Sequence, residues 1–242
     1  MLDLFGVRCP RGALDALSSQ GGRSVAAMCW SATADLVAGA GIGAVGIASV
    51  ALAARRPRDL PLAALPLLLG AHQIIEAVVW HNDGGAGPAT LAWAVIALPL
   101  LALWVPAAVL CAAPPNARRR LLLPLAAGAS TAAALAHALA TRTVTAEIRG
   151  HTVGYSLGLP QPELTILGYL LANIGSLLLS GARGLVLFGV LVAVGAAVSF
   201  ALWRQEYIST WCAFAAVCSV VLTLWAGRRR TPTSRRTPAS RP

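Results

Sequence analysis

Residues 55–80 read RRPRDLPLAALPLLLGAHQIIEAVVW, and this stretch decides the fold. A charged segment ends at Asp59, and the apolar run that follows is interrupted only by His72, Gln73 and Glu76. A helix that crosses the hydrocarbon core of a bilayer needs about 20 mostly apolar residues. The stretch therefore predicts a membrane-spanning helix with three polar side chains inside it.

Similar apolar runs occur along the whole chain, separated by short segments rich in arginine, proline or glycine. Of the 242 residues, 57% are hydrophobic and 12% are charged, against roughly 25% charged residues in soluble domains. The sequence predicts an all-α membrane bundle of seven transmembrane helices, with the lipid bilayer as its main partner. The predicted spans are residues 32–54, 60–80, 89–111, 121–140, 164–180, 185–203 and 208–225.

The charge of the chain comes from arginine alone. The formal net charge is +10, and all 19 basic residues are arginines. So apolar a chain could not cover a soluble surface, and we therefore predict no nucleic-acid partner. The missing lysine excludes a retinal Schiff base and every other lysine-dependent chemistry, despite the seven spans.

The distribution of arginines predicts an orientation, because positive residues stay on the cytoplasmic side of a membrane. With the amino terminus outside, thirteen arginines fall in cytoplasmic loops and the tail, three in the outer loops and three in the first 27 residues. We expect a multi-pass protein of the plasma (inner) membrane, with the amino terminus outside and the carboxyl terminus in the cytoplasm.

The two ends of the chain differ from the membrane domain in composition. Residues 1–27 contain no apolar run and are interpreted as a disordered extension ahead of a true start at Met28. Residues 28–227 form the predicted seven-helix domain. Residues 228–242 are rich in arginine, proline, serine and threonine, which is typical of a disordered basic tail near anionic headgroups.

Polar side chains inside membrane spans are costly and are functional candidates by default. His72 and Glu76 share one helix face, and His137 has a similar predicted depth in the fourth span. These three residues are the candidate catalytic groups and the candidate metal ligands. The plainer interpretation, that hydrogen bonds to neighbouring helices satisfy them and fix the packing, stays open.

Further polar and aromatic side chains are predicted in the outer half of the bundle, whereas the inner halves of several spans carry no ionisable group. This asymmetry favours an outward-facing pocket over a path through the membrane. Residues 144–155 alternate and turn near Gly150, which predicts a β-hairpin that would cap the polar half. The candidate pocket residues are Asp35, Gln73, Trp80, His151, Tyr155, Tyr169, Trp211 and Cys212.

Small residues and prolines predict how the helices pack. Gly39 and Gly43 form a GxxxG pair, which favours close packing of the first helix on a neighbour. Prolines within the predicted spans indicate kinks whose freed backbone groups must find other partners. These prolines are Pro61, Pro66, Pro99, Pro106 and Pro124.

Three stretches resemble a bacterial multi-pass membrane family of unknown function, whose members begin Met-Cys-Phe/Trp-Ser-Ala-Thr-Ala. They are MCWSATA at residues 28–34, DLPLAALP at 59–66 leading to HQIIEAVVW at 72–80, and WCAFAA at 211–216. Asp35 departs from the family pattern, in which a small polar residue is usual. The resemblance implies the membrane fold and a start at Met28, and it implies no activity.

Three interpretations of function remain open. The first is a membrane protein with an outward-facing polar pocket for a small ligand or lipid. The second is an intramembrane hydrolase, metal-dependent or acid/base, that uses Glu76, His72 and His137, and the third is a transporter. No cofactor is predicted, a metal remains open, and the sequence does not define the oligomeric state.

Overall fold

The computed structural model describes residues 31–150, 152–202 and 206–228. The predicted extension at residues 1–27 lies outside the described residues. The same holds for His151 and for the predicted tail beyond Arg228, the residue at which the last helix ends.

In the described part of the chain, seven helical segments are long and apolar enough to cross a membrane, as predicted. Each overlaps one predicted span and differs from it by only a few residues at most ends. The charged and proline-rich breaks in the sequence locate these ends because such residues are costly inside a bilayer. The spans are Ala32–Ala53, Leu60–His81, Pro88–Ala112, Pro115–Thr141, Pro162–Leu179, Arg183–Leu202 and Tyr207–Arg228.

Four of the spans are not continuous α-helices. The second span breaks at Ala64, between two prolines, and the last breaks at Ser219. The third and fifth spans each contain one π-helical turn, Ile96–Leu100 and Leu171–Gly175. The α-helices are α1 Ala32–Ala53, α2 Leu60–Ala63, α3 Leu65–His81, α4 Pro88–Val95, α5 Leu101–Ala112, α6 Pro115–Thr141, α7 Pro162–Leu170, α8 Ser176–Leu179, α9 Arg183–Leu202, α10 Tyr207–Cys218 and α11 Val220–Arg228.

Side chains from neighbouring spans bond to backbone carbonyls at these irregular places. Trp104 donates its indole N–H to the carbonyl of Pro61 in α2 at 3.0 Å. The hydroxyl of Tyr169 donates to the carbonyl of Ala97, inside the first π-helical turn, at 2.5 Å. A bilayer offers no water to these carbonyls, so such bonds make the irregular backbone tolerable.

The predicted hairpin is present. Strand β1, Thr145–Arg149, pairs antiparallel with β2, Thr152–Ser156. Ala146 also forms an isolated bridge to Gly85, in the loop after the second span. Val153 packs with Val79 of α3. The hairpin is therefore attached to the bundle, and the end of the bundle where it lies is called the hairpin end below.

The seven spans pack around a ring in chain order, and further contacts join the second span to the seventh and the third to the fifth. Each span packs against the next, and the last, through α11, returns to α1. The most extensive contact is between α1 and α3. A Cβ atom at Gly70 would lie 2.6 Å from the backbone nitrogen of Gly43, and one at Gly39 would lie 2.8 Å from the carbonyl oxygen of Gly70. The predicted close packing of the first helix is thus confirmed at Gly39, with α3 as the neighbour, whereas a Cβ at Gly43 would meet nothing within 4 Å.

Candidate functional site

Two buried carboxyls lie near the hairpin end of the ring. Asp35, in the first turn of α1, and Glu76, on α3, are each 2% exposed. The indole N–H of Trp80 donates to Oδ2 of Asp35 at 2.8 Å. The hydroxyl of Ser209, on α10, donates to Oε1 of Glu76 at 2.5 Å. Three spans thus fix the positions of the two carboxyls.

Aromatic rings surround these carboxyls. Trp93, on α4, faces Glu76 and packs against the ring of His72 with a centroid separation of 4.9 Å. The ring of Tyr155, on β2, stacks on Trp93 at 3.4 Å, with the two planes nearly parallel. Together these side chains form the carboxyl cluster, defined as Asp35, His72, Glu76, Trp80, Trp93, Tyr155 and Ser209.

The hairpin covers the carboxyl cluster rather than leaving an open cleft. Burial raises the pKa of the Tyr155 hydroxyl well above its usual value, and the carboxyls of Glu76 and Asp35 raise it further. Tyr155 therefore stays neutral and acts as an apolar lid with one polar tip. The prediction of an outward-facing pocket is therefore corrected: its central residues are buried under the hairpin and do not line an open cleft.

Several polar atoms near the carboxyls are buried without a partner. His72 and Gln73 are fully buried, and the ring nitrogens of His72 and the amide atoms of Gln73 have no hydrogen-bond partner among the described residues. The same is true of the Tyr155 hydroxyl. Buried polar groups are nearly always bonded, and unpaired ones cost about 1–3 kcal/mol each. These atoms are therefore available to a bound molecule.

A second feature, a partly open cavity in the bundle, lies next to the carboxyl cluster. Its wall is mostly apolar and comes from five spans. Cys212 lines this cavity and also neighbours Tyr155. On α3, Leu69 in the cavity wall and His72 and Glu76 in the cluster lie on one helix face. Residues of the cavity wall include Leu69, Tyr169, Asn173, Phe188, Trp211 and Cys212.

The candidate pocket residues therefore fall into two groups. Asp35, Trp80 and Tyr155 belong to the carboxyl cluster, with Gln73 buried on α3 beside it. The other group, Tyr169, Trp211 and Cys212, lines the apolar cavity. Trp211 is held there by its indole N–H, which donates to the carbonyl of Val192 at 3.1 Å.

His137 is not brought to the site. Its side chain is exposed on α6, whereas His72 and Glu76 are buried on α3. No group of three or more histidine, cysteine, aspartate or glutamate side chains in the described part of the chain could hold a metal ion. The proposed set of His72, Glu76 and His137 is therefore not assembled, either for a metal or for catalysis.

Two residues of the cluster were missing from the sequence-based candidates. Ser209 and Trp93 both lie within two turns of the hairpin-end start of their spans. For Ser209, a weak signal was available, because it is a hydroxyl placed near Trp211 and Cys212, which were candidates. The partner that each contacts depends on helix rotation, which the sequence does not show.

Comparison with known proteins identifies a family but no activity. A family described as "Family of unknown function (DUF6629)" matches residues 28–237. No curated protein matches the chain, and no solved structure matches it.

Proposed function

The chain belongs to this family of unknown function, and we propose from its geometry alone that it binds a lipid-like molecule within the membrane. The observation that carries the proposal is the mostly apolar cavity lined by five spans, one of whose lining residues, Cys212, also neighbours Tyr155 of the carboxyl cluster. An apolar chain would occupy the cavity, and a polar head would meet the carboxyl cluster.

The proposal includes the location of the site in the membrane. The chain lies in the bacterial plasma membrane, with the hairpin outside and the carboxyl terminus in the cytoplasm. Thirteen of the arginines support this orientation, because it places them on the cytoplasmic side. The polar head of the ligand then lies in the outer half of the bilayer, under the cap.

The two rival interpretations receive less support. A hydrolase that needs His137 beside Glu76 and His72 lacks its third group, since His137 is exposed. Transport of a polar solute needs polar side chains across the full thickness. The cavity wall toward the opposite end consists of residues such as Leu65, Leu177 and Phe188.

Lipid binding is tested with a substitution that fills the cavity. Ala215, on α10, lines it, and Ala215→Phe would place a phenyl ring where the ligand chain lies. The ring would compete with the ligand for the same space, and a binding loss of about 1.4 kcal/mol or more lowers ligand retention about tenfold or more. The readout is the amount of lipid that remains bound to the purified full chain, measured by mass spectrometry.

A matched control makes the same change on the lipid-facing surface. Ala129, on α6, is exposed, so Ala129→Phe should retain lipid like the wild type. Thermal unfolding of both variants identifies any loss of fold. If a folded Ala215→Phe variant retains as much lipid as Ala129→Phe, the cavity is not the binding site.

A further inference from the structure

Arginines from two neighbouring loops meet at the end of the bundle opposite the hairpin. Arg118, Arg119 and Arg120 lie near the start of α6, and Arg183 is the first residue of α9. All four are exposed. A Cβ atom at Gly181 would lie 2.5 Å from Nη2 of Arg120, so this guanidinium reaches the loop that leads to Arg183. The four arginines are called the arginine patch below.

No acidic side chain offsets the charge of this patch. The ion pairs in the described part of the chain involve none of its four arginines, and residues 113–123 and 180–190 contain no aspartate or glutamate. Arg118 and Arg183 lie within about one turn of the starts of α6 and α9. The positive end of the helix dipole lies there, which disfavours a basic side chain and favours an anion. The patch therefore combines four positive charges with two helix starts and needs a negative partner.

Apolar side chains that face the lipid adjoin the patch. Leu123 follows Arg119 by one helical turn on the same face of α6, and Leu187 follows Arg183 in the same way on α9. Leu123 is 64% exposed and Leu187 is 52% exposed. A molecule at the patch can thus place an anionic group against the guanidinium groups and an apolar chain along these leucines.

From this arrangement we propose that the arginine patch binds the head group of an anionic phospholipid, with the acyl chains along the exposed leucines of α6 and α9. This site is separate from the cavity and does not rest on the proposed function. A guanidinium donates two parallel hydrogen bonds to a phosphate group. The choline group of a zwitterionic lipid would be repelled by the same arginines. In the proposed orientation, the patch lies at the cytoplasmic leaflet, whose surface is negative.

A second group of arginines at the same end of the bundle provides a comparison. In the loop between α1 and α2, Arg56 pairs with Asp59 and donates to the carbonyl of Ala226 at 2.7 Å. Arg55 and Arg58 are exposed on either side of it. This loop contains an acidic residue, unlike the two segments of the patch, so its arginines should attract an anionic head group less.

The test titrates dioleoyl phosphatidylglycerol and dioleoyl phosphatidylcholine into the purified full chain in maltoside micelles, with bound lipid counted by native mass spectrometry. The wild type should bind phosphatidylglycerol at least about tenfold more tightly than phosphatidylcholine. The double change Arg119→Gln with Arg183→Gln should weaken phosphatidylglycerol binding about tenfold or more and leave phosphatidylcholine binding within about twofold. The arginines of residues 228–242 are present in every protein compared.

The matched control removes the same charge from the same end. Arg55→Gln with Arg58→Gln should keep phosphatidylglycerol binding within about threefold of wild type. Equal losses in the two double variants would show a general attraction to this end of the bundle and overturn the inference. Equal binding of the two lipids to the wild type would also overturn it. Thermal unfolding confirms that each variant is folded, and the lipid order on the wild type does not depend on any variant.

Further measurements separate the patch from a free-phosphate site and from the cavity. Sodium phosphate should displace phosphatidylglycerol no more than sodium chloride of equal ionic strength, and stronger displacement by phosphate would contradict a lipid site. Folded Ala215→Phe should keep the preference for phosphatidylglycerol. If Ala215→Phe loses that preference while the Arg119 and Arg183 double variant keeps it, the anionic lipid occupies the cavity. The patch proposal would then fail, and the proposed function would stand.

Discussion

Tyr155 joins the cap to the membrane-embedded site. Its ring stacks on Trp93, and its hydroxyl is buried near Glu76 and Asp35. Burial, followed by these carboxyls, raises its pKa well above the usual value. An aromatic side chain with a polar tip suits such a boundary, because it closes an apolar surface while keeping one hydrogen-bonding group available.

The raised pKa predicts a loss of stability at alkaline pH. An unfolded tyrosine ionises at a pKa of about 10, whereas folded Tyr155 holds its proton to higher pH. Its contribution to stability is complete below pH 10 and is lost as the pH rises toward the folded pKa. The free energy of unfolding of the wild type should therefore fall more steeply above pH 10 than that of Tyr155→Phe, by up to about 1.4 kcal/mol per pH unit.

Denaturant unfolding of both proteins at several pH values measures this difference. Tyr169 and Tyr207 are present in both proteins, so their titration cancels. Tyrosinate absorbance gives an independent check, since folded wild type and folded Tyr155→Phe should titrate alike near pH 10. Parallel pH profiles, or one additional tyrosinate in the wild type near pH 10, would show that Tyr155 is solvated.

At the scale of single residues, the sequence was better at identifying polar side chains inside the spans than at predicting which residues they contact. His72, Glu76 and Asp35 were found because polar groups inside apolar spans are rare and costly. His137 satisfied the same criterion and lies exposed on α6. Depth follows from counting residues at a fixed rise, but rotation about the helix axis does not. Two residues at equal depth can therefore face opposite sides.

At the scale of elements, glycines set the separation of α1 and α3. A Cβ at Gly70 would meet backbone atoms of Gly43 and Gly39 within 2.9 Å. Backbone atoms cannot rotate away as a side chain can, so Gly70→Ala must push the two helices apart. The change should destabilise the protein by about 1–3 kcal/mol, as overpacking does. It should also weaken the Asp35–Trp80 hydrogen bond, since α1 and α3 carry these residues.

Thermal unfolding in micelles measures the effect, and Gly41→Ala is the matched control. A Cβ at Gly41 would meet nothing within 4 Å, although the residue lies in the same helix. Gly41→Ala should therefore leave the unfolding temperature unchanged or raise it, because alanine favours helix. Equal destabilisation by both changes would indicate a loss of backbone freedom rather than a clash.

The elements themselves were largely predictable. The span ends follow from charges and prolines, and the hairpin follows from alternation and from Gly150, which adopts a φ of 62°. Prolines indicated kinks, and the second span does break between Pro61 and Pro66. The π-helical turn at Leu171–Gly175 contains no proline. It contacts α5 and α6, and such tertiary contacts leave no pattern in one sequence.

For the whole molecule, the orientation proposed from arginine counts has a direct test. In a background with the native cysteines replaced, Glu147→Cys on the hairpin should react with a membrane-impermeant thiol reagent in intact cells. Arg118→Cys, near the start of α6 at the opposite end, should react only after the cells are opened. The reverse pattern would place the carboxyl terminus outside.

The order of the helices around the ring could not be predicted from the sequence. In a soluble protein, polar and apolar faces reveal which side of a helix points inward. In a membrane, the lipid-facing side is as apolar as the core, so helix association depends on close packing and hydrogen bonds. Val37 and Ile47 on α1 are exposed and as apolar as buried Ile42. Among the glycines of that helix, Gly39 and Gly46 are buried but Gly41 is exposed, so residue type alone did not mark the packed side.

The stacking of Trp93 on Tyr155 makes the fluorescence of Trp93 sensitive to the position of the hairpin. Trp93 belongs to a membrane span and Tyr155 to the hairpin, so their 3.4 Å separation exists only while the hairpin is seated. Lifting the hairpin would move the indole from an aromatic contact toward water, and its emission would shift to longer wavelength. With the other six of the chain's seven tryptophans replaced by phenylalanine, the emission of Trp93 would report any lifting of the hairpin without an attached label.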